Sequence, residues 1–378
     1  MPPNFKEWVE SYGLECVTIG PDLKKMTGGT VTGKPVLPSR EQLQQMADQM
    51  VRGQFQVIGE AARDCDLILA ATALQVATRS IAEAQGIPYV FVAYAPSVLP
   101  SSQYPPPSHG DAGQKWGTGY SHSLSEEENL QLWKENEASF SQFAAALNEE
   151  REKLGLAPVA SVQHHMFTDR PWLAADPILA PALPLDGIDV VQTGAWMLSE
   201  KTPLPDEVEK FLADGEPPVY LGFGSMRASD QTAHMLIEAT RALGLRSILS
   251  QGWAGLTPED AEDDVLSISD VNHQTLFPRV ATIVHHGGAG TTHAAAGAGT
   301  PQIIIPHNYD QFYWAHRVQE LGVGVSGPRR DDITVENVAQ SLHEALQPEV
   351  TTRAQEVASR IELSGARIAA ERLANEFA

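Results

Sequence analysis

The residues with the most chemistry to offer stand between positions 271 and 311, in the stretch VNHQTLFPRVATIVHHGGAGTTHAAAGAGTPQIIIPHNYDQ. Within it, His286-Gly287-Gly288-Ala289-Gly290-Thr291-Thr292 combines an imidazole, closely spaced glycines and two hydroxyls. Glycines let a backbone come close to a ligand, and the unpaired N–H groups that begin a helix attract an anion. Farther on, Pro306-His307-Asn308-Tyr309-Asp310-Gln311 brings a carboxylate and an amide. A carboxylate repels phosphate but accepts hydrogen bonds from hydroxyls. Together the two clusters suit a phosphorylated sugar, with phosphate on Gly288, Ala289, Gly290 and Thr291 and hydroxyls on Asp310 and Gln311. The competing reading is a glycine-rich turn followed by a solvated loop.

Such residues need a scaffold that brings strand ends together. Residues 282–285 and 302–305 read as short buried strands with a small-residue helix between them, one βαβ unit. The glycine turn then falls at the carboxyl end of its strand, where a doubly wound sheet leaves its ligand crevice. Gly222-Phe223-Gly224-Ser225-Met226 is a second glycine turn at a strand end, and Ser225 could donate to the same phosphate. Trp253, in Ser250-Gln251-Gly252-Trp253-Ala254, follows another strand end and either lines the crevice or packs the domain. His285, on the strand itself, reads as structural. There is no Gly-x-Ser-x-Gly, no Cys-His pairing, no His-Glu-x-x-His and no Walker lysine, so hydrolase, zinc-enzyme and P-loop chemistries lose ground. No Gly-x-Gly-x-x-Gly with a following acidic residue supports an NAD-dependent oxidoreductase.

The elements around these turns divide into two halves at a polar, proline-bearing stretch near residues 197–204, giving domains 1–197 and 198–378. In the second, strands are expected at 219–223, 247–250, 265–269, 282–285, 302–305 and 323–325, with a helix over 355–377 that could pack back across the linker. In the first, a helix ends near Gly13 and a strand is expected at 15–19. Ser39 caps a long helix with Leu43, Met46, Met50 and Ile58 on its core face. Strands follow at 67–71 and 89–94. Ser125 then caps a helix with a stripe of Leu130, Trp133, Phe140, Phe143 and Leu147, and strand-like runs come at 167–176 and 190–196. Only three clear strands are expected in this half. The opening strand of a doubly wound sheet is usually central, so a domain that begins with a helix looks incomplete. The proline-rich loop at 95–107 is long enough to be functional, and its stiffness suits a bulky, partly apolar ligand; residues 109–122 read as its mobile continuation.

Bulk composition narrows the classes. With 378 residues, two domains can each bury a core, and 42% apolar and 20% charged residues are ordinary for a globular protein. A net charge of −22 argues against nucleic-acid binding, although a helix start can still hold a local anion. No apolar run is long enough to span a membrane, and no signal peptide opens the chain. Cys16 and Cys65 form no disulfide framework or metal set and read as small core residues, so a reducing cytoplasm is expected.

The stretches YAPSVLPSSQYPPP, FTDRPWLAADPILAP, VQTGAWML, PPVYLGFGSM, VNHQTLF, HHGGAGTTHAAAGAGTPQ and DQFYWAHRVQELGVG resemble the glycosyltransferases that decorate vancomycin-group glycopeptide antibiotics. Sterol glucosyltransferases are similar over the donor half only. The resemblance implies the α/β GT-B fold, two Rossmann-like domains facing across a cleft, and an inverting transfer that needs no metal or other cofactor. The substrates it implies are a nucleotide sugar, UDP-glucose or a dTDP-sugar, and a bulky acceptor such as a glycopeptide aglycone, with sterol as the alternative. On the donor side it implies Ser225, Trp253, His286 and the turn 288–291, with the backbone of Val271 at the base and Gln274 at the ribose. Asp310 and Gln311 would hold the hexose, Asp310 being the candidate catalytic residue because it fixes the anomeric carbon for attack. Tyr94, Pro96, Ser97, Ser102 and Tyr104 are the candidate acceptor contacts. Family members open with a glycine-rich strand and loop that place a catalytic Asp or His near the acceptor hydroxyl, and this chain starts after that segment. Slow or absent turnover with surviving donor binding is therefore expected, and a non-catalytic homologue is the alternative.

Overall fold

A computed structural model of the chain describes residues 1–24, 39–71, 74–107, 124–183, 187–226, 228–258 and 262–377. Two parallel sheets organise it. The first runs β1 (Ile68–Ala71), β2 (Tyr89–Ala93), β3 (Trp172–Leu173) and β4 (Val191–Gln192), in that spatial order. The second contains β5 (Val219–Gly222), β6 (Ser247–Ser250), β7 (Val265–Ile268), β8 (Thr282–His285), β9 (Gln302–Ile304) and β10 (Gly324–Ser326). They lie side by side as β10-β9-β8-β5-β6-β7, so the strand order reverses between β5 and β8. That reversal is the switch point at which open α/β sheets leave a crevice. Strands β5, β6, β8 and β9 are buried at every residue, as strands covered on both faces must be.

Local signals in the sequence set several element ends. Ser39 and Ser125 each accept the N3 backbone N–H while the N3 side chain returns to the cap, complete capping boxes for Arg40–Ala61 and Glu126–Phe140. Gly86, left-handed at φ 70°, ends Thr78–Gln85.

Five expectations are corrected. Residues 15–19 are not a strand: Met1 bonds Val17 and Ile19, and no ladder of strands lies beside them among the described residues. Among the described residues the first half holds four strands rather than three, two of them only two residues long. Helix Arg40–Ala61 turns Ala47, Val51 and Gln54 inward while Leu43 and Met46 stay exposed, because small residues allow the close approach of the helices that cover it. Leu130 is likewise exposed, and the long helix expected around it breaks into Glu126–Phe140, a 3₁₀ turn and Ala144–Lys153. Nor are the cysteines core residues: Cys65 is exposed and Cys16 half-buried. The expected mobile run at 109–122 lies outside the described residues.

The two halves share a core. Phe91, Met166 and Leu173 from the first join Tyr313, Trp314, Val318 and Val357 from the second in one apolar cluster. A polar joint reinforces it at Asp176, which is fully buried. Its carboxylate accepts N–H groups from Ile178, Leu179 and Glu362 at 2.8, 3.1 and 2.9 Å, and its own N–H donates to His293 Nε2 at 3.1 Å. Arg317 Nε adds a bond to the Leu179 carbonyl at 2.9 Å. The C-terminal helix Gly365–Phe377 returns to the first sheet, setting Ala369 and Leu373 against Val90, Val92, Trp172 and Val191. Among the described residues, no helix is long and apolar enough to cross a membrane.

A second buried polar cluster holds the helices of the first half. Ser80 Oγ lies 2.9 Å from His165 Nε2 and receives Arg151 Nη1 at 2.8 Å, and the same nitrogen donates to Glu83 at 2.6 Å. Burial foremost, opposed by Glu83 and aided by the neighbouring cations Arg79 and Arg151, leaves His165 neutral, its pKa pushed down to about 4. Burial drives His285 down to about 3. Both side chains bind fewer protons folded than unfolded, so their contribution to stability is present above pH ~6.5 and is lost as pH falls towards the folded values. Denaturant titrations should show stability falling by up to about 1.4 kcal/mol per pH unit per such histidine below pH ~6.5. His165→Gln should flatten part of that slope; an unchanged slope would refute the assignment.

Candidate functional site

The switch point brings four strand ends to one level. Gly222 of β5 pairs in register with His285 of β8, and His285 with Ile304 of β9. Consequently the turns after β5, β8 and β9 leave the sheet side by side, with the turn after β6 next to them. Their backbones touch. Gly224 and Gly252 take φ of 55° and 54°, and a Cβ on Gly252 would stand 2.5 Å from the Gly224 carbonyl oxygen. The same oxygen accepts Trp253 N–H at 2.9 Å.

His286 sits between two of these turns. Its Cε1 is 3.4 Å from where a Gly224 Cβ would be, and its Nε2 2.7 Å from where a Gly288 Cβ would be. Burial pushes its pKa down to about 4, leaving a neutral imidazole that can donate from one nitrogen. Gly287, at φ 91°, turns the chain so that helix Ala289–Ala298 starts beside this ring. Gly288 is the N-cap, and no side chain caps the helix, so its first N–H groups are free to meet an anion. Thr291 is half-buried, whereas the Thr292 hydroxyl is spent on the Gly288 carbonyl at 2.9 Å. His285 is structural, as expected: its Nδ1 accepts Gly287 N–H at 3.2 Å and its Nε2 pairs with Gln302 at 3.0 Å.

The turn after β9 is organised by Gln311. Its Oε1 accepts the N–H groups of His307 and Asn308 at 2.7 and 3.0 Å, while its amide nitrogen makes only long contacts to Met226 sulfur and Asn308, at 3.4 and 3.3 Å. Tyr309 is forced to φ 55°, a left-handed conformation that a tyrosine adopts at a cost. Asp310 follows at the start of helix Gln311–Glu320. Burial raises its carboxyl to about 6 against the opposing bond from Trp314 Nε1 at 3.0 Å.

Other expected residues fall less simply. Ser225 is half-buried beside His286's neighbour Gly224. Trp253 is half-buried and lies against Phe5, ring centroids 5.7 Å apart. Val271 is half-buried against the core of β6 and β7. The Gln274 amide is already engaged, donating to Leu198 O at 2.6 Å and accepting from Glu200 N at 3.3 Å, so it ties down the stretch between the halves.

On the first sheet, the candidate acceptor residues Pro96 and Ser97 turn inward. Both are buried in the 3₁₀ turn Pro96–Val98, because Ala95, Val98 and Leu99 fill the shared core and carry the loop inward. The rest of the loop is also held, Ser102 and Tyr104 offering their carbonyls to Asn129 and Trp133 at 2.9 and 2.8 Å. Tyr104 meets Tyr313 edge-on at 5.3 Å across the halves, and Tyr94 is exposed at the end of β2, beside Trp196. Sequence reasoning missed the Asp176–His293 joint and gave His307 no task, since neither residue belongs to a recognisable spacing.

Comparisons with known proteins bear on the family and the fold. Residues 259–369 match the family described as "Erythromycin biosynthesis protein CIII-like, C-terminal domain". "Glycosyltransferase GtfE" of Amycolatopsis orientalis is 42% identical over 98% of this chain and 88% of its own length. "Vancomycin aglycone glucosyltransferase" of the same organism is 40% identical over the same shares. The chain belongs to the vancomycin-group glycopeptide glycosyltransferases. This glycosyltransferase also shares its fold with the solved glycotransferase of kitacinnamycin, at a TM-score of 0.69 and 17% identity over 99% of this chain and 89% of that one. That likeness bears out the GT-B expectation of two α/β domains with parallel sheets.

Gly287 tests the turn. Its missing Cβ would stand 2.7 Å from Ile304 Cγ2, and its φ is positive, whereas Gly290 has open space and an ordinary φ. Gly287→Ala should therefore cost about 1–3 kcal/mol. Gly290→Ala should be neutral or raise stability by about 0.5–1 kcal/mol. Thermal melting of the two variants decides it, and equal melting points would contradict the strained turn.

Proposed function

We propose that the glycosyltransferase moves a hexose, with glucose the first choice, from UDP-glucose or a dTDP-sugar to a hydroxyl of a bulky natural-product acceptor such as a glycopeptide aglycone. Transfer proceeds with inversion and with no cofactor beyond the nucleotide sugar. The observation that carries this reading is the level register of Gly222, His285 and Ile304, which brings the turns bearing His286, an uncapped helix start and Asp310 to one edge of the sheet. His286 and the N–H groups of residues 288–291 would receive the diphosphate, and Ser225 could donate to it. The Asp310 carboxylate would accept from sugar hydroxyls, with the weakly held Gln311 amide donating beside it. Their hold on the hexose would orient the anomeric carbon for attack. Residues 198–378 would thus serve the donor, and Tyr94, Ser102 and Tyr104 of residues 1–197 would face the acceptor. The backbone of Val271 and the ring of Trp253 are left for the base.

Calorimetry with UDP and UDP-glucose tests the donor side. Binding is expected, and His286→Ala should weaken it by about 1.5–3 kcal/mol, the worth of a hydrogen bond to a charged group. Absence of binding at millimolar ligand, or indifference to His286→Ala, would overturn the reading. For the sugar, an ionised Asp310 is the better acceptor, so transfer should fall as pH drops through about 6. Asp310→Asn should lower transfer at every pH and leave UDP affinity nearly intact. On the acceptor side, Tyr94→Ala should raise the KM for a glycopeptide aglycone without changing the KM for the donor; the opposite pattern would misplace the acceptor.

A further inference from the structure

Two imidazoles at the site carry nitrogens that nothing among the described residues satisfies. His286 Nδ1 and His307 Nε2 are both buried without a hydrogen-bond partner. Leaving either so costs free energy, and leaving both so in one place calls for a common explanation. Their rings are tilted at 57° with centroids 6.5 Å apart, near enough for one water to lie between them. His307 is held for this: its side chain is 7% exposed, its ring leans on Phe223 at 5.0 Å, and its N–H is fixed by Gln311 Oε1. The third histidine of the cluster, His285, has both nitrogens engaged and takes no part.

We infer that His307 is a positioning residue for donor binding, which holds His286 through one shared water so that Nε2–H points at the diphosphate, and which shares the proton the pair gains when that anion arrives. This rests on the donor-site reading above. If His286 Nε2 donates, its Nδ1 must accept unless the ring is charged, and an acceptor needs a donor behind it. The bridging water, itself held by His307 Nε2, supplies that donor. A diphosphate at Nε2 favours the charged ring. Protonation then turns Nδ1 into a donor, the water turns round, and His307 accepts. Both rings are neutral without ligand, mainly through burial. The charged groups around His307 are His286 and Arg330, which disfavour its proton, and Asp331, which favours it. His285 is the titratable neighbour on the other side of His286.

The sign follows directly. Ligand raises the proton affinity of the pair, so donor binding takes up protons and tightens as pH falls from neutral. Calorimetry with UDP-glucose, whose diphosphate has no proton to gain near neutral pH, would be run across that range in two buffers of different ionisation enthalpy to count the protons. Wild type should bind more tightly at lower pH with net uptake. His307→Gln can hold the water but cannot take a proton, so it should keep affinity at pH ~8 within about twofold and lose part of the uptake. His307→Phe, which offers no nitrogen, should bind about tenfold more weakly at pH ~8. Asp310 is common to all three proteins, so the differences among them report the histidine pair. Equal proton counts and pH slopes in wild type and His307→Gln would overturn the inference, as would unchanged affinity in His307→Phe, while leaving the donor site itself supported by the loss in His286→Ala. Failure of the wild type to bind UDP-glucose at any pH would overturn both.

Discussion

The site depends on how closely four backbone turns can approach one another at the carboxyl edge of the second sheet. The level register of β5, β8 and β9 delivers their ends to one place, but side chains would hold them apart. Glycine at 224, 252 and 287 removes that obstacle, each at positive φ and two of them with no room for a Cβ. Only then can His286 lie between the turn after β5 and the start of helix Ala289–Ala298. The surface proposed to face the phosphate is therefore mostly backbone, which costs little to reorganise when a charged ligand arrives.

Around this backbone surface the protein places side chains whose charge state is set by enclosure. His286 and His307 are kept neutral and Asp310 is held close to the pH at which it changes charge, in each case mainly because burial penalises the ion. Neutral imidazoles beside a helix start would not repel the proposed dianionic donor even though the chain carries a net charge of −22. The mean charge acts over solvent and is screened, whereas the helix start and imidazole act at contact.

The joint at Asp176 ties this backbone surface to the other half. His293, one turn into the helix that begins at the glycine turn, shares its Nδ1 with the Ala289 carbonyl at 2.7 Å and receives the Asp176 N–H on Nε2. The start of the helix and the end of the first sheet are thereby linked through a single ring. Together with the shared core from Phe91 to Trp314, it sets where Tyr94 and Tyr104 stand relative to Asp310.

By itself the sequence determined the second sheet almost to the residue, because four of its six strands are buried runs bounded by glycine and proline, and such runs have few alternatives. It also marked the His286 turn and Asp310, since spacing along one chain segment is preserved when that segment folds into a βαβ unit. The first half was less legible. Two of its strands are only two residues long, too short for periodicity to register, and the exposed face of Arg40–Ala61 carries Leu43 and Met46 where the pattern assigned core. Tertiary structure alone decided that Pro96 and Ser97 go inward, that Gln274 and the Gln311 carbonyl are spent on backbone, and that His307 faces His286. Each of those outcomes joins residues distant in sequence or depends on which of two amide atoms finds a partner, and a linear pattern encodes neither.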